Sequence, residues 1–151
     1  MPVDPKYKGK KYPTVYKYEV GLEKIKEYAM AVGDLNPLYI NEDDAEKSRY
    51  GGIIAPPTFA AVYARGPVGS ALFDPDLSLN LPMLVHGEQE FEFFDVVRPG
   101  DVILTEGESL DIYEKVTPKS SLDFVIVGTT SRRNHDNKIV CKGKWTFVIR
   151  R

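Results

Sequence analysis

Residues 33–45 read GDLNPLYINEDDA, and this stretch decides how the rest of the chain is interpreted. Pro37 disfavours helical geometry at Asn36, so a helix that comes before the stretch is expected to end near its first residue. Asp34 and Tyr39 are then predicted to lie in a loop or short turn, where catalytic side chains are commonly held. Because Asp and Asn also bond to their own backbone in turns, a purely structural role for Asp34 and Asn36 is the competing interpretation.

The segment before this stretch has the periodicity of an amphipathic helix. Apolar residues recur at i, i+3 and i+4 spacing, at Leu22, Ile25, Tyr28, Ala29 and Val32, with charged residues between them. The pattern predicts a helix over residues 22–32 that delivers the chain to the motif. The acidic residues at 42–46 are interpreted as the solvated face of a further helix.

A second helix is predicted after the sequence YGGIIAPP, which occupies residues 50–57. The apolar run TFAAVYA, residues 58–64, has the character of a buried central helix. Pro56 and Pro57 fit its first turn, where proline is tolerated, and Gly66 with Pro67 is expected to end or kink it. A connection that contains Pro, Asp and Leu is expected over residues 73–82.

The second half of the chain is rich in predicted strands. Gln89, Phe91 and Phe93 alternate with Glu90 and Glu92, which is the period of a strand with one face buried. Further strands are predicted over residues 102–112, 122–131 and 139–149, with turns at residues 98–101 and 134–137. This order predicts a single α+β domain over residues 1–151, in which residues 1–17 are a polar lead-in.

Composition excludes several classes of protein. A chain of 151 residues, 42% of them hydrophobic, suffices for one domain with its own core. The net charge of -2 gives no electrostatic footprint for nucleic acid, and four lysines near the amino end are expected to form a solvated tail. These lysines are Lys6, Lys8, Lys10 and Lys11. No apolar run approaches the roughly 20 residues needed to cross a bilayer, so no membrane interaction is expected.

The single cysteine, Cys141, excludes an internal disulfide. The amino end has no apolar stretch typical of a signal peptide, so a cytoplasmic location is expected. The sequence has no phosphate-cradling glycine motif, no Cys/His spacing typical of zinc and no Gly-x-Ser-x-Gly nucleophile elbow, so no cofactor and no metal are expected. Arg49, Arg65 and Lys119 are interpreted as ordinary surface charge.

The motif at residues 33–45 resembles that of the MaoC-like, or R-specific hydratase-2, family, whose members hydrate enoyl thioesters or dehydrate 3-hydroxyacyl thioesters. The matching residues are Gly33, Asp34, Asn36, Pro37, Leu38 and Ala45. Tyr39 stands where the family has its catalytic histidine. The resemblance implies a single hot-dog fold, in which an antiparallel sheet is wrapped around a central helix. It also implies that Asp34, Asn36 and Tyr39 mark the catalytic site.

Two departures from the family motif affect the chemistry. A phenol has a pKa near 10 and an imidazole one near 6.5, so Tyr39 is a donor and a poor general base at neutral pH, or only packs its ring. Active hydratases of the family carry His-Gly at the entrance of the central helix, where backbone N–H groups receive the thioester oxygen. Here Ala55, Pro56 and Pro57 occupy that stretch, and Pro56 has no N–H. Losing one such donor typically costs roughly 100- to 1,000-fold in rate.

One branch of the family resembles this chain from about Tyr18 to Phe147. It comprises the FAS1-like dehydratase amino-terminal subtype and the substrate-binding subunits of heterodimeric 3-hydroxyacyl-ACP dehydratases. The likeness lies in the Pro-Thr-Phe helix entrance, in LVHGEQEF at residues 84–91 and in RPGD at residues 98–101. In that branch one hot dog holds the acyl chain, while a partner supplies the intact Asp and His.

The same branch implies where the acyl thioester is contacted. Ala55 and Thr58 are the predicted binding residues at the helix entrance, and His86 and Gly87 those at the start of a strand. His86 is one of two histidines in the chain, so a catalytic role competes with a structural one. Glu88, two residues further along, is interpreted either as a site residue or as the pair of a strand neighbour.

Three hypotheses about function remain open. The leading one is a subunit that binds an acyl-CoA or acyl-ACP thioester, or is weakly active on it, in a homodimer or heterodimer with another hot-dog subunit. The second is a self-sufficient homodimeric hydratase in which Asp34 is the base and Tyr39 or His86 supplies the second group. The third is a hot-dog acyl-thioesterase, in which a carboxylate activates water against the thioester carbonyl.

Overall fold

The computed structural model of the protein describes residues 2–151, in which a central helical segment packs against one face of an antiparallel sheet. The sheet has the strand order β1-β4-β5-β6-β3, and β2 also pairs with β4. The strands are β1 (Lys11–Tyr12), β2 (Tyr18–Glu19), β3 (Leu84–Phe93), β4 (Val102–Thr117), β5 (Ser120–Arg133) and β6 (Ile139–Arg150). The α+β class predicted from the sequence is therefore confirmed.

Five α-helices lie before the long strands. They are α1 (Leu22–Ala31), α2 (Pro37–Ile40), α3 (Glu42–Lys47), α4 (Ala60–Tyr63) and α5 (Arg65–Leu72). Three short 3-10 turns complete the set, at Pro5–Tyr7, Pro57–Phe59 and Leu81–Met83. None of the helices among residues 2–151 combines the length and the apolar character needed to span a membrane.

The central helix is kinked rather than ended by Gly66 and Pro67. It runs from the 3-10 turn at Pro57–Phe59 through α4 and α5, which meet at Ala64. Pro67 has no N–H to give to the carbonyl of Tyr63 four residues before it. The hydroxyl of Thr105 on β4 lies 3.4 Å from that carbonyl and donates to it instead. The carbonyl that the kink leaves without a helical donor is therefore satisfied by the sheet.

The helix and the sheet approach each other closely at Gly107. A Cβ at this position would lie 2.8 Å from the Cβ of Pro67, so a larger residue would push α5 away from β4. At the other end of the helix, Phe59 is fully buried. Its ring meets those of Tyr18, Tyr28 and Tyr63 at centroid distances of 6.2, 5.4 and 6.2 Å. These contacts fix the helix entrance against α1.

The long hairpin of β4 and β5 extends beyond the predicted strands. Thr117 pairs with Ser120, so β4 continues five residues past the predicted end at Ile112. Residues 113–117 are exposed, so they show no alternation of buried and exposed positions from which a strand could be predicted. Backbone pairing with β5 holds them in the extended conformation.

The lead-in is not a solvated tail, and that expectation was wrong. Val3 and Tyr12 are buried, and β1 pairs with β4. Each of the four lysines named above meets a carboxylate: Lys6 with Asp4, Lys8 with Asp111, Lys10 with Asp74 and Asp76, and Lys11 with Glu108. Most of these acids lie far along the chain, so only the tertiary structure brings them within reach.

Candidate active site

The motif begins where α1 ends, and Gly33 makes the turn. Its φ of 73° is the left-handed conformation that glycine adopts without strain. The Gly33 N–H donates to Met30 O at 3.2 Å and the Asp34 N–H to Ala29 O at 2.9 Å. This pair of bonds is a Schellman motif, which satisfies the last carbonyls of a helix. Asp34 therefore leaves the helix at a fixed point, and its carboxylate is exposed.

Asn36 and Pro37 start the next helix. The Asn36 Oδ1 accepts from the N–H of Leu38 at 3.0 Å, which makes Asn36 the N-cap of α2. Pro37 occupies the first helical position, where its missing N–H costs nothing. Tyr39, predicted to lie in a loop or short turn, is in this one-turn helix. The amide oxygen of Asn36 is thus already used by the backbone.

Tyr39 is the buried member of the predicted set, with 8% of its surface exposed. Burial raises the pKa of its phenol above the ordinary value, and the nearby Asp34 carboxylate and Tyr50 add to the rise. At neutral pH the phenol is consequently neutral. A neutral phenol is able to donate a hydrogen bond to a ligand, but it is not a base that takes a proton from water.

An apolar cleft of about 470 Å³ opens beside Tyr39. Three parts of the chain form it: the end of the motif with the turn after it, the entrance of the central helix, and the segment that follows β3. The lining residues are Leu38, Tyr39, Arg49, Tyr50, Ile54, Ala55, Pro56, Pro57, Tyr63, Phe93, Phe94, Asp95, Val96 and Val97. Asp34 is outside this lining, although its charge reaches Tyr39.

The helix entrance offers few backbone donors to this cleft. The Ala55 N–H already donates to Val97 O at 2.8 Å, and Pro56 and Pro57 have no N–H. Among residues 2–151, the Thr58 N–H has no hydrogen-bond acceptor, so it is the first free donor of the helix. The carbonyl and the hydroxyl of Thr58 accept from the Tyr28 hydroxyl, each at 3.0 Å.

His86 and Gly87 lie on β3, outside the cleft lining. The His86 ring stacks on Trp145 at 5.8 Å and is tilted against Phe147 at 5.1 Å. Gly87 sits at a register shift of β3, and a Cβ there would lie 2.8 Å from the side chain of Val148. Of the four predicted substrate-binding residues, Ala55 lines the cleft and Thr58 borders its helix entrance, whereas His86 and Gly87 are elsewhere.

Sequence reasoning missed the wall of the cleft that follows β3. Arg133 holds this wall: its Nη2 bonds to Asp95 and to Asp136, each at 2.8 Å, and its Nη1 donates to Val96 O at 3.3 Å. Burial alone would raise the pKa of Asp95, but hydrogen bonds from Lys138 and Arg133 outweigh it and lower the pKa to about 2. Phe93, Phe94, Val96 and Val97 thus give this wall an apolar surface, and its charged lining residue, Asp95, is neutralised by the ion pairs.

Arg49, interpreted from the sequence as surface charge, lines the cleft together with Tyr50. Neither residue could be predicted as part of the site from the sequence. The motif at residues 33–45 determines its own backbone conformation, but not which later side chains pack beside it. Asp136 follows Arg133 by three residues, so the sequence alone could have suggested that ion pair. Asp95 lies far earlier in the chain, and nothing in the sequence links it to Arg133.

A wider groove of about 670 Å³ lies on the other face of the sheet. Charged side chains line it, among them Glu90, Glu108, Lys11 and Lys144, and they pair with one another at 3.8 Å (Lys144 with Glu90) and 2.5 Å (Lys11 with Glu108). Within residues 2–151 no group of three or more His, Cys, Asp or Glu is arranged to hold a metal ion. The cleft beside Tyr39, which joins apolar walls to the motif, is the better candidate site.

Comparison with known proteins identifies the fold and the family. The family model described as FAS1-like, dehydratase domain region, matches residues 6–142. A protein of Saccharopolyspora erythraea, called a UPF0336 protein, is 35% identical over 150 residues, which cover 99% of this chain and 93% of that protein.

Two solved structures are similar in fold. The HadBC (3R-hydroxyacyl-ACP dehydratase) complex from Mycobacterium tuberculosis matches with a TM-score of 0.81 at 21% identity, over 98% of this chain and 99% of that one. The R-hydratase PhaJ1 from Pseudomonas aeruginosa matches with a TM-score of 0.67 at 20% identity, over 94% of this chain and 81% of that one.

The molecule has the hot-dog fold of these solved structures, with an antiparallel sheet packed around a central helix. The chain belongs to the FAS1-like dehydratase domain family, whose model covers most of its length. The family and the fold predicted from the motif are thereby confirmed.

Proposed function

We propose that this chain is the acyl-thioester-binding, or weakly active, subunit of an R-specific enoyl-thioester hydratase or 3-hydroxyacyl-thioester dehydratase. A second hot-dog chain supplies the intact Asp and His. The observation that carries the proposal is the cleft itself: it is apolar, it adjoins the family motif, and a neutral tyrosine stands in it where the family has histidine. The cytoplasmic location belongs to the same proposal.

The acid/base chemistry is incomplete in the single chain. Hydration needs a base for water, a proton source for the α carbon and donors for the thioester oxygen. No histidine is among the residues that line the cleft. Tyr39 has a raised pKa and can donate but not act as the base, and Asp34 is exposed beyond the cleft lining. General acid/base groups typically contribute on the order of 100- to 10,000-fold, so the lone chain is expected to be slow.

Thioester binding, by contrast, requires only an apolar surface and hydrogen-bond donors, and the cleft supplies both. An apolar chain fits against Pro56, Tyr63 and Val97, and the free N–H of Thr58 and the hydroxyl of Tyr39 are donors suited to a carbonyl oxygen. The carrier of the acyl group is coenzyme A or acyl carrier protein. Both present the same thioester to the cleft.

The sheet edge supports a dimer. β3 pairs with β6 on one side, and its other edge has no strand partner among residues 2–151. The edge carries exposed apolar side chains, with Val85 60%, Phe93 48% and Phe94 46% exposed. A long edge strand with exposed apolar side chains is usually covered, because it otherwise pairs with other chains. The similar HadBC structure is a complex of two kinds of chain, which favours a heterodimer.

The test is hydration of crotonyl-CoA and of a longer enoyl-CoA by the purified chain alone, with the product identified by mass. We expect thioester binding with turnover close to the uncatalysed background. Asp34→Asn is compared with Asp43→Asn, a matched change at an exposed carboxylate on α3. Tyr39→His is run beside them and is expected to raise the rate.

Robust turnover by the unmodified chain, abolished by Asp34→Asn but not by Asp43→Asn, would contradict the subunit proposal and favour a self-sufficient hydratase. Release of free thiol would instead reveal a thioesterase, since hydration leaves the thioester intact. An inert chain that still binds the thioester directs the search to a partner hot dog.

A further inference from the structure

The charges at the mouth of the cleft are unbalanced toward positive. Arg49 and Asp95 are the two charged residues of its lining. Asp95 is already bonded to Arg133 at 2.8 Å and to Lys138 at 3.0 Å. Arg49 forms no salt bridge with any carboxylate of residues 2–151 under a limit of 4.0 Å. An anion that reaches the cleft therefore meets a guanidinium whose charge is not neutralised.

A neutral partner holds this guanidinium in place. The Nη2 of Arg49 donates to the Tyr50 hydroxyl at 2.6 Å, and its central carbon lies 4.8 Å from the centre of the Tyr50 ring. A guanidinium carries five N–H donors. The contact with one hydroxyl leaves the other donors free, so Arg49 is oriented without being satisfied.

The backbone under Arg49 is also fixed. Residues 48–51 form a tight turn in which the Gly51 N–H donates to Ser48 O at 3.1 Å, and Gly51 has a φ of 66°. The carbonyl of Tyr50 accepts from Arg98 Nη1 at 2.5 Å, and the Tyr50 N–H donates to the Ser48 hydroxyl at 3.2 Å. Because the turn is already ordered, a ligand that binds Arg49 loses less affinity to ordering the protein.

The combination of an apolar cleft and a free guanidinium at its mouth selects an amphiphilic ligand. A guanidinium matches the geometry of a phosphate better than an ammonium does, because it offers two parallel N–H donors. A phosphopantetheine thioester has the corresponding order of groups: an apolar acyl chain, a thioester, a flexible arm and a phosphate. Coenzyme A and the prosthetic group of acyl carrier protein share this phosphate.

We infer that Arg49 binds the phosphate of the phosphopantetheine arm, with Tyr50 as the residue that positions its guanidinium. The inference rests on the proposed function, because it takes the acyl thioester as the occupant of the cleft. It adds that the chain distinguishes phosphorylated carriers from neutral thioesters. Arg49 is then a specificity residue rather than surface charge.

The experiment measures the affinity of three unreactive ligands for the full chain by calorimetry: decanoyl-CoA, decanoyl-4′-phosphopantetheine and decanoyl-pantetheine. Arg49→Gln should weaken both phosphorylated ligands by about 10- to 100-fold, which is the range of a hydrogen bond to a charged group. Decanoyl-pantetheine, which has no phosphate, should bind within about twofold of its original affinity. Arg49→Lys keeps the positive charge but loses the two parallel N–H donors. Its affinity for the phosphorylated ligands should lie between that of the unmodified chain and that of Arg49→Gln.

Lys47→Gln is the matched control. It removes one positive charge two residues before Arg49, and the Lys47 side chain is exposed and outside the cleft lining. Equal weakening of decanoyl-pantetheine, or an equal effect of Lys47→Gln, would overturn the inference. A loss confined to decanoyl-CoA would overturn it too, since it assigns the contact to the nucleotide phosphates. If the unmodified chain binds none of the three ligands, the proposed function itself fails.

Discussion

The two ends of β3 differ in how their polar groups are held. Beyond Phe93 the chain forms the wall of the cleft, where Arg133 bonds to Asp95 and Asp136. At the other end His86 stacks on aromatic rings, and its side chain makes no hydrogen bond among residues 2–151. The polar groups after the carboxyl end of β3 are therefore held by an ion-pair network, whereas the imidazole of His86 near its amino end is exposed and has no polar partner in the part of the chain that the structure describes.

This difference shows which end can act on a ligand from a single chain. A side chain that binds or reacts needs neighbours that hold its geometry, and only the cleft end has them. The sequence singles out His86 because it is one of two histidines, yet its neighbours in the structure are Trp145 and Phe147. For His86 to act, a second chain would have to bring the missing groups to the β3 edge.

The largest effect is expected from Arg133→Met, which breaks the network behind the cleft. The arginine side chain is 10% exposed, and its removal leaves Asp95 and Asp136 without their shared cation. Removing one partner of a buried ion pair typically costs 3–5 kcal/mol, and we expect about 3 kcal/mol here because Lys138 still pairs with Asp95. Urea denaturation measures the loss.

Arg132→Met is its control, because the neighbouring side chain reaches only Asn137 O, at 3.5 Å. A surface change of this kind is expected to stay within about 0.5 kcal/mol. Equal losses in the two variants would show that the network adds nothing specific to the cleft wall.

A smaller effect is expected from acid. The pKa of Asp95 is about 2 in the folded chain and about 3.9 when unfolded, so its contribution to stability is present above pH 4 and is lost as the pH falls toward 2. The Asp136 pKa is also lowered to about 2, chiefly by its hydrogen bond with Arg133. Urea midpoints at pH 5, 3.5 and 2.5 should therefore decline.

Asp95→Asn isolates the contribution of that one carboxylate. The variant should be less stable at pH 5 and should lose less between pH 5 and pH 2.5 than the unmodified chain. A variant with the same decline would mean that other carboxylates, such as Asp74 with its lowered pKa, dominate the acid response.

The smallest effect is expected from His86→Gln. Its ring contacts with Trp145 and Phe147 are partly exposed, so we expect a loss of about 0.5 kcal/mol in the free energy of unfolding. Thioester binding, measured by calorimetry, should change less than twofold. A tenfold loss of binding would reverse the comparison and move the site to the β3 edge, and Glu88→Gln serves as the neighbouring control.

Local patterns predicted the elements well because their causes are local. The turn at Gly33 follows from the freedom of glycine, and the short helix after Asn36 follows from an N-cap residue and a proline at the first position. The strands were located by alternation, which fails where both faces are exposed, as it did for residues 113–117. The pairing of Lys8, Lys10 and Lys11 could not be predicted either, because their carboxylate partners lie more than 60 residues away in the sequence.

The sequence by itself determined the family, the α+β class, the order of the elements and the position of the motif. These depend on residues that are neighbours in the chain, where backbone sterics and periodicity act directly. Only the tertiary structure decided that Asp34 lies outside the cleft lining, that His86 is remote from it and that Arg49 and Asp95 both belong to it. Such contacts depend on strand register and on helix packing against the sheet, which residue patterns along one segment do not specify.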